Sequence, residues 1–270
     1  MLINGESAAH IPATDRGLQY GDGLFETIAV VASSPCLWER HYKRLKHGGS
    51  RLGIEIPSAS TLLKEIQQEI GTAEKGVIKL IVTRGEGARG YAPSKNSMPN
   101  RVVQFSPWPE YPTEFQTNGV KARVCSTRLG ANQALAGIKH LNRLEQVIAR
   151  SEWDDPTMKE GLMLDARGRV IEGTMSNIFM LKDGTLHTPD LTESGVAGVM
   201  RGLVLDIAQE QGLDINIGHL PLSEVLYADS LMLTNSLIGI WPVKSLDDRE
   251  YDLTNLNREL ISDVMRSAYV

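Results

Sequence analysis

The chain has 270 residues, 41% of them hydrophobic, and a formal net charge of -5, which is material for one large core or two modest ones. Its basic residues are scattered rather than gathered into a stripe, which argues against nucleic acid or an anionic membrane as the main partner and favours small-molecule chemistry. Two distant cysteines, Cys36 and Cys125, form no CxxC pair, MLINGESAAH lacks the layout of a signal peptide, and no apolar run reaches membrane-spanning length, so a reducing cytoplasm is the expected location.

In chain order, LFETIAVV reads as a strand, ERHYKRLKHGGSRLG as a helix, and SASTLLKEIQQEI as a second helix with Ser58 or Ser60 as its N-cap. GVIKLIVTR and RVVQFSPW read as strands, so residues 1–108 form a small α+β domain. Pro107, Pro109 and Pro112 crowd SPWPEYPTE, which marks residues 109–120 as a linker. Residues 121–270 then form a larger α+β domain. Within it the apolar spacing of Leu141, Leu144, Val147 and Ile148 predicts a helix that begins just after Lys139. GLMLDARGRVIEG and NIFMLKDGTLHTP read as hairpins around DARG and KDG turns. DINIGHL, DSLMLTNS and IGIWPVKS read as strands, and VMRGLVLDIAQEQG and NLNRELISDVMRSA as helices.

Three groups of residues have the chemistry of a site. Lys139 follows the small apolar ALAGI, where an ammonium is poorly solvated; it is either a surface lysine or an amine tuned to react with a carbonyl. Glu172, in VIEGTMSNIFML, is either a solvated strand-end carboxylate or one aimed inward at a cationic partner such as a pyridinium nitrogen. Gly195 and Gly198 precede a helix whose first amides, on Val199 and Met200, lack intrahelical partners and suit an anion. Arg44 and the strand-end Thr234, Asn235 and Ser236 are further donors that a phosphate would need. RGEGARGY contains G-x-G-x-x-G but is not followed by a helix, so a dinucleotide site is rejected; the six histidines show no metal-ligand spacing.

Taken together, GDGLFET, HYKRL, RGEGARGY, LAGIKHLNRLEQ, EGTMSNIF and GVMR occur in an order and at separations that resemble the fold-type IV pyridoxal phosphate enzymes over essentially the whole chain. That family includes branched-chain and D-amino-acid aminotransferases and 4-amino-4-deoxychorismate lyases, and GIKHLNRLEQ with RGEGARGY looks most like the lyases. The resemblance implies a two-domain α+β fold of the D-amino-acid aminotransferase type and pyridoxal 5'-phosphate as cofactor. It makes Lys139 the Schiff-base lysine and general acid/base, and Glu172 the partner of the pyridine nitrogen. Arg44, the amides of Val199 and Met200, and Ser236 become the phosphate ligands. The implied reaction converts 4-amino-4-deoxychorismate to 4-aminobenzoate and pyruvate for folate synthesis, in a homodimer, with an aminotransferase as the alternative. Arg89 and Tyr91 are candidates for the substrate carboxylate, Arg89 being otherwise a solvated loop residue. One departure lowers the aminotransferase reading but leaves the D-amino-acid type open: branched-chain aminotransferases carry a tyrosine five residues after the lysine, where this chain has Leu144, whereas the K-x-L-N of the D-amino-acid type is shared as Lys139 to Asn142.

Overall fold

The computed structural model describes residues 1–94 and 97–269, which divide into two compact units. The first comprises residues 1–109 with the short segment Ile138–Asn142 and the C-terminal Tyr269; the second comprises Glu110–Gly137 and Arg143–Ala268.

The first unit is built from β1 (Leu2–Ile3), β2 (Glu6–Ser7), α1 (Arg16–Tyr20), β3 (Gly23–Val31), β4 (Ser34–Pro35), α2 (Trp38–Leu52), α3 (Ala59–Ile70), β5 (Lys75–Thr83) and β6 (Asn100–Ser106). Its six strands run in the order β2-β1-β6-β5-β3-β4. Along β3, Leu24, Glu26, Ile28 and Val30 alternate onto the buried face, while Phe25 and Thr27 turn to the other. α2 packs closely on that strand, since a Cβ on Gly48 would lie 2.8 Å from the Leu24 side chain. Ser58 caps α3 by accepting the Thr61 amide at 3.1 Å, as the sequence predicts for one of its two candidates.

β4 pairs only with the end of β3, at Val30 and Val31. The segment Ile138–Asn142 takes up the other end of that edge: the Phe25 amide donates to the Lys139 carbonyl and the Leu141 amide to the Gly23 carbonyl, both at 3.0 Å. Lys139 therefore packs with the N-terminal unit, a correction to the expectation that the domain of residues 121–270 carries it. The physical reason is the open strand edge, whose backbone groups need partners that local sequence does not advertise.

The second unit contains α4 (Glu114–Thr117), β7 (Val120–Leu129), α5 (Leu144–Arg150), β8 (Met158–Asp165), β9 (Val170–Gly173), β10 (Asn177–Lys182), β11 (Thr185–Pro189), α6 (Val199–Glu210), β12 (Ile215–Gly218), α7 (Leu222–Leu226), β13 (Ser230–Asn235), β14 (Gly239–Leu246), β15 (Arg249–Glu250) and α8 (Arg258–Ala268). Its main sheet runs β12-β11-β10-β13-β14-β7-β8-β9, with β15 beside β14. The two predicted hairpins are β8–β9 and β10–β11, and Asp183 and Gly184 both hold positive φ, as a tight two-residue hairpin turn requires. The core gathers Leu162, Ile178, Leu231, Leu233 and Val243 around Trp241, against which Tyr111 and Phe115 pack edge-on at 5.0 and 5.3 Å.

Besides short elements that the sequence reading did not name, two longer ones differ from expectation. β7 is absent from the sequence reading because Lys121, Arg123 and Arg128 interrupt its apolar pattern, yet it lies parallel to both β14 and β8 in the middle of the sheet. α5 begins at Leu144 rather than Leu141, and it buries Ala149 while leaving Leu144, Val147 and Ile148 exposed, the reverse of what the apolar spacing suggests. Among the described residues no helix is long and apolar enough to cross a membrane, and no cluster of side chains suits a metal ion.

Gly161, inside β8, shows how tightly this sheet is packed. A Cβ there would lie 2.4 Å from Cys125 Sγ and 2.8 Å from the Trp153 ring. Gly161→Ala is expected to destabilise the protein by about 1–3 kcal/mol, the usual range for overpacking. A urea denaturation midpoint equal to the parent's would contradict that packing.

Candidate active site

In the second unit the site grows from the loop between β9 and β10. Glu172, on β9, is only 4% exposed. Its Oε2 accepts the Val196 amide at 2.8 Å and its Oε1 accepts the Gln146 side-chain amide from α5 at 3.2 Å. Arg143 lies close enough for the Glu172 charge to act on it, opposing the burial that lowers the guanidinium's pKa. A buried carboxylate held at both oxygens has a fixed direction, so Glu172 is not the solvated strand-end carboxylate of the plainer reading.

The segment that supplies the Val196 amide runs straight into α6. Gly195 adopts φ +83, a left-handed conformation that favours glycine, and the Gly137 amide donates to its carbonyl at 2.9 Å. Asn177, the first residue of β10, donates to the Val196 carbonyl at 2.8 Å. Its Oδ1 stands where a Cβ on Gly198 would come within 2.0 Å, so only glycine fits at the head of α6. No side chain caps this helix, and its first turn begins with the buried Val199 and Met200. Arg201 ties the helix to β11 through Thr188 Oγ1 at 3.1 Å and the Pro189 carbonyl at 2.9 Å, which fixes where the N-terminus points. Unpaired amides and the helix dipole there favour an anion.

Ser236 sits in the turn after β13, half-buried. β13 and β10 pair Thr234 with Asn177, and the Asn235 side chain donates to the Met175 carbonyl at 3.0 Å. Glu172, the head of α6 and the Ser236 turn are thus linked by hydrogen bonds within one unit.

In the first unit a second constellation surrounds β3. Lys139 is half-buried, with Nζ 4.4 Å from the centre of the Phe25 ring. One residue on, Glu26 is 1% exposed and faces α2, where His41 Nδ1 lies 2.6 Å from Oε2 and Arg44 donates from Nε to Oε1 at 2.8 Å and from its terminal nitrogen to Oε2. Burial alone would raise the Glu26 pKa, but the Arg44 charge and the hydrogen bonds from Arg44 and His41 bring it down to about 2. Burial lowers the His41 pKa, the Arg44 and Lys139 charges add to that, and Glu26 opposes it. Arg44 is therefore a guanidinium already oriented by a buried carboxylate.

The loop of Arg89 and Tyr91 is exposed, but its backbone is anchored: Arg16, itself buried, donates to the Gly90 and Tyr91 carbonyls at 2.9 and 3.0 Å. The Tyr20 and Tyr91 rings lie 5.5 Å apart. Gln146, Phe25, Glu26 and His41 escaped the sequence reading of the site. All four lie inside quoted motifs, so proximity to a motif was the available signal.

The profile of the family described as Amino-transferase class IV matches residues 23–246, which includes both constellations. The chain belongs to that family. It is 46% identical to the 4-amino-4-deoxychorismate lyase of Pseudomonas aeruginosa, whose structure superposes with a TM-score of 0.95 over 100% of this chain and 99% of that one. It is 38% identical to an aminodeoxychorismate lyase of Vibrio harveyi over 92% of each chain. A putative branched-chain-amino-acid aminotransferase of Methanocaldococcus jannaschii is 32% identical over 92% of this chain and 88% of its own. Residues 23–246 thus contain every site residue proposed from the sequence.

The Glu26 cluster makes stability depend on pH in a definite direction. With a folded pKa of about 2 against an ordinary 4.5, Glu26 stabilises the fold above pH 4.5, and that contribution is lost as the pH falls toward 2. Its size is about 3 kcal/mol at 1.36 kcal/mol per unit. The burial of Glu160 raises its pKa and works in the opposite sense, so the test is a difference. The stability gap between the parent and Glu26→Gln should shrink by most of that amount between about pH 5.5 and pH 2.5. A gap independent of pH in urea titrations would show that Glu26 is not held as a carboxylate.

Proposed function

We propose that this protein is a pyridoxal 5'-phosphate-dependent lyase that converts 4-amino-4-deoxychorismate to 4-aminobenzoate and pyruvate. The observation that carries the reading is the 46% identity, spread over the whole chain, to the Pseudomonas aeruginosa lyase. The residues present fit the cofactor. The α6 N-terminus is uncapped and Gly198 leaves room before it, Glu172 is buried and directed, and Lys139 holds an amine over an aromatic face. Arg44, the amides of Val199 and Met200, and the Ser236 hydroxyl would hold the phosphate. Glu172 would hold the ring nitrogen.

When bound, the cofactor supplies an aldehyde for an amine and a sink for the electrons left when a proton is removed beside nitrogen. Lys139 would hold the cofactor through its amine and, once freed, would act as base on the substrate carbon that bears nitrogen. Val196 and Gln146 keep Glu172 aimed, so that its carboxylate would favour a proton on the ring nitrogen. Electron flow expels the neighbouring enolpyruvyl group with cleavage of its carbon-oxygen bond, and the carbocycle becomes aromatic. Lys139 returns its proton to the departing enolpyruvate, which leaves as pyruvate. Arg89 and Tyr91 would meet the substrate carboxylate.

The aminotransferase alternative has the 32% identity to the archaeal relative in its favour. It predicts an aminated cofactor that persists after an amino acid is added. Cys36 and Cys125 are buried free thiols, which agrees with a reducing cytoplasm, and 4-aminobenzoate formation points to a place in folate synthesis. A homodimer is proposed because the apolar row Leu144, Val147 and Ile148 on α5 is exposed in the single chain, a surface that a second copy would cover.

Assay of the purified protein for 4-aminobenzoate tests the activity. Lys139→Ala should abolish turnover, and borohydride should fix the cofactor to Lys139 in the parent. Glu172→Gln should retain cofactor but lose activity by about 100-fold or more, a typical effect of removing a group that acts in the transition state. An adduct on another lysine, or Glu172→Gln with parental turnover, would overturn these roles. For the dimer, sedimentation of Val147→Glu is expected to show a monomer where the parent sediments at twice the mass.

A further inference from the structure

We infer that Glu160 is a positioning residue that holds the two ends of the cofactor site in mutual register from beneath; the inference rests on the cofactor reading above. Glu160, on β8, is 1% exposed and touches none of the proposed cofactor ligands. Its carboxylate gathers the loop that follows Glu172. Oε1 accepts the Gly161 and Thr174 amides, both at 2.9 Å, and the Thr174 hydroxyl at 2.5 Å. Oε2 accepts the Ser176 hydroxyl at 2.6 Å and the Met175 amide at 3.3 Å. The loop is moulded to this carboxylate, since a Cβ on Gly173 would lie 2.3 Å from Ser176 Oγ and 2.7 Å from Glu160 Oε2.

Each side of this loop leads to a cofactor subsite. Glu172 precedes Gly173 directly, so the loop sets the direction in which the ring-nitrogen partner leaves β9. Asn177 follows Ser176 and holds the Val196 carbonyl and the Gly198 approach, which set the head of α6. In the middle, the Met175 carbonyl accepts the Asn235 side chain, one residue before Ser236. Thr174 and Ser176 are therefore turned toward Glu160, away from the solvent that a plain polar turn would face. Five donors on one buried carboxylate explain the small polar run TMS as a template for loop shape. The raised pKa of Glu160, caused by burial, agrees with a carboxylate paired to neutral donors rather than to a cation.

Glutamine in place of Glu160 keeps the volume but presents an amide nitrogen to part of the donor set, so the loop must shift. Both subsites should weaken together. The test uses the full-length apoprotein, prepared by removing cofactor, with three probes: pyridoxal 5'-phosphate, pyridoxal for the ring side, and inorganic phosphate for the anion side. Glu160→Gln is expected to bind pyridoxal 5'-phosphate about tenfold or more weakly, and to lose affinity for both pyridoxal and phosphate. Arg44→Ala should lose affinity for phosphate alone. Glu160→Asp, which keeps the acceptor, should recover part of the loss.

Should Glu160→Gln fail to fold, Ser176→Ala and Thr174→Val each remove one hydroxyl donor and are expected to weaken cofactor binding by about threefold to tenfold. A lower melting temperature with unchanged affinity for all three probes would make Glu160 a fold staple only and overturn the inference. So would a loss confined to one probe, or parental affinity in both hydroxyl variants. If the parent chain forms no borohydride adduct with pyridoxal 5'-phosphate, the cofactor reading fails first and this inference with it. A parent that binds alongside an unaffected Glu160→Gln rejects the inference alone.

Discussion

A carboxylate taken out of water must be met by donors or by a cation, and three of the buried glutamates, Glu26, Glu160 and Glu172, impose that requirement around the candidate site. Glu26 is met by Arg44 and His41, Glu160 by amides and hydroxyls of its neighbouring loop, and Glu172 by the Val196 amide and Gln146. Each solution fixes something that the chemistry needs. The first orients an arginine, the second shapes a loop, and the third directs a carboxylate. Desolvation would make any of the three unfavourable alone, so their neighbours are constrained as strongly as the glutamates themselves.

The same economy appears in the backbone. The chain leaves the second unit after Gly137, whose amide and carbonyl are bonded to Gly195 and Ala197, belongs to the first unit for five residues with His140 bridging Leu24 of β3, and returns at Arg143. Those five residues include Lys139. A lysine on a short pairing segment has its Cα set by two backbone hydrogen bonds, at Phe25 and Leu141, while its side chain remains long enough to swing. The role proposed for Lys139, to hold a cofactor and move a proton, would use that combination of a fixed root and a mobile tip.

Much of this was legible in the sequence, for identifiable reasons. β3, α2, α3, β5 and the two hairpins announce themselves by period, caps and turn residues, all of which are local. The motifs fixed the identities of Lys139, Glu172 and Arg44 as residues of interest, because their neighbours have unusual chemistry for ordinary strands and helices. What local pattern could not reveal was partnership. Nothing near Lys139 says that it pairs with β3, nothing near Thr174 and Ser176 names Glu160, and β7 is hidden by the basic residues along it. The exposure of Leu144, Val147 and Ile148 is a further case, since spacing shows that three apolar residues share a face but not which way it points.

Fold alone does not decide between lyase and aminotransferase chemistry. The branched-chain aminotransferase of Escherichia coli superposes with a TM-score of 0.87 at 23% identity, a likeness of architecture only. Both reactions begin when one lysine amine removes a proton beside nitrogen, and both need the same ring-nitrogen partner and the same phosphate cradle. They part at the next step, which depends on whether the substrate carries a leaving group on the adjacent carbon. The roles proposed for Glu172 and Lys139 would serve both reactions, and the choice between them would pass to whatever admits and orients the substrate. The loop of Arg89 and Tyr91, proposed for that task, has its backbone anchored by Arg16 while its side chains stay exposed. A pocket wall of this kind can change between relatives without disturbing the buried carboxylates.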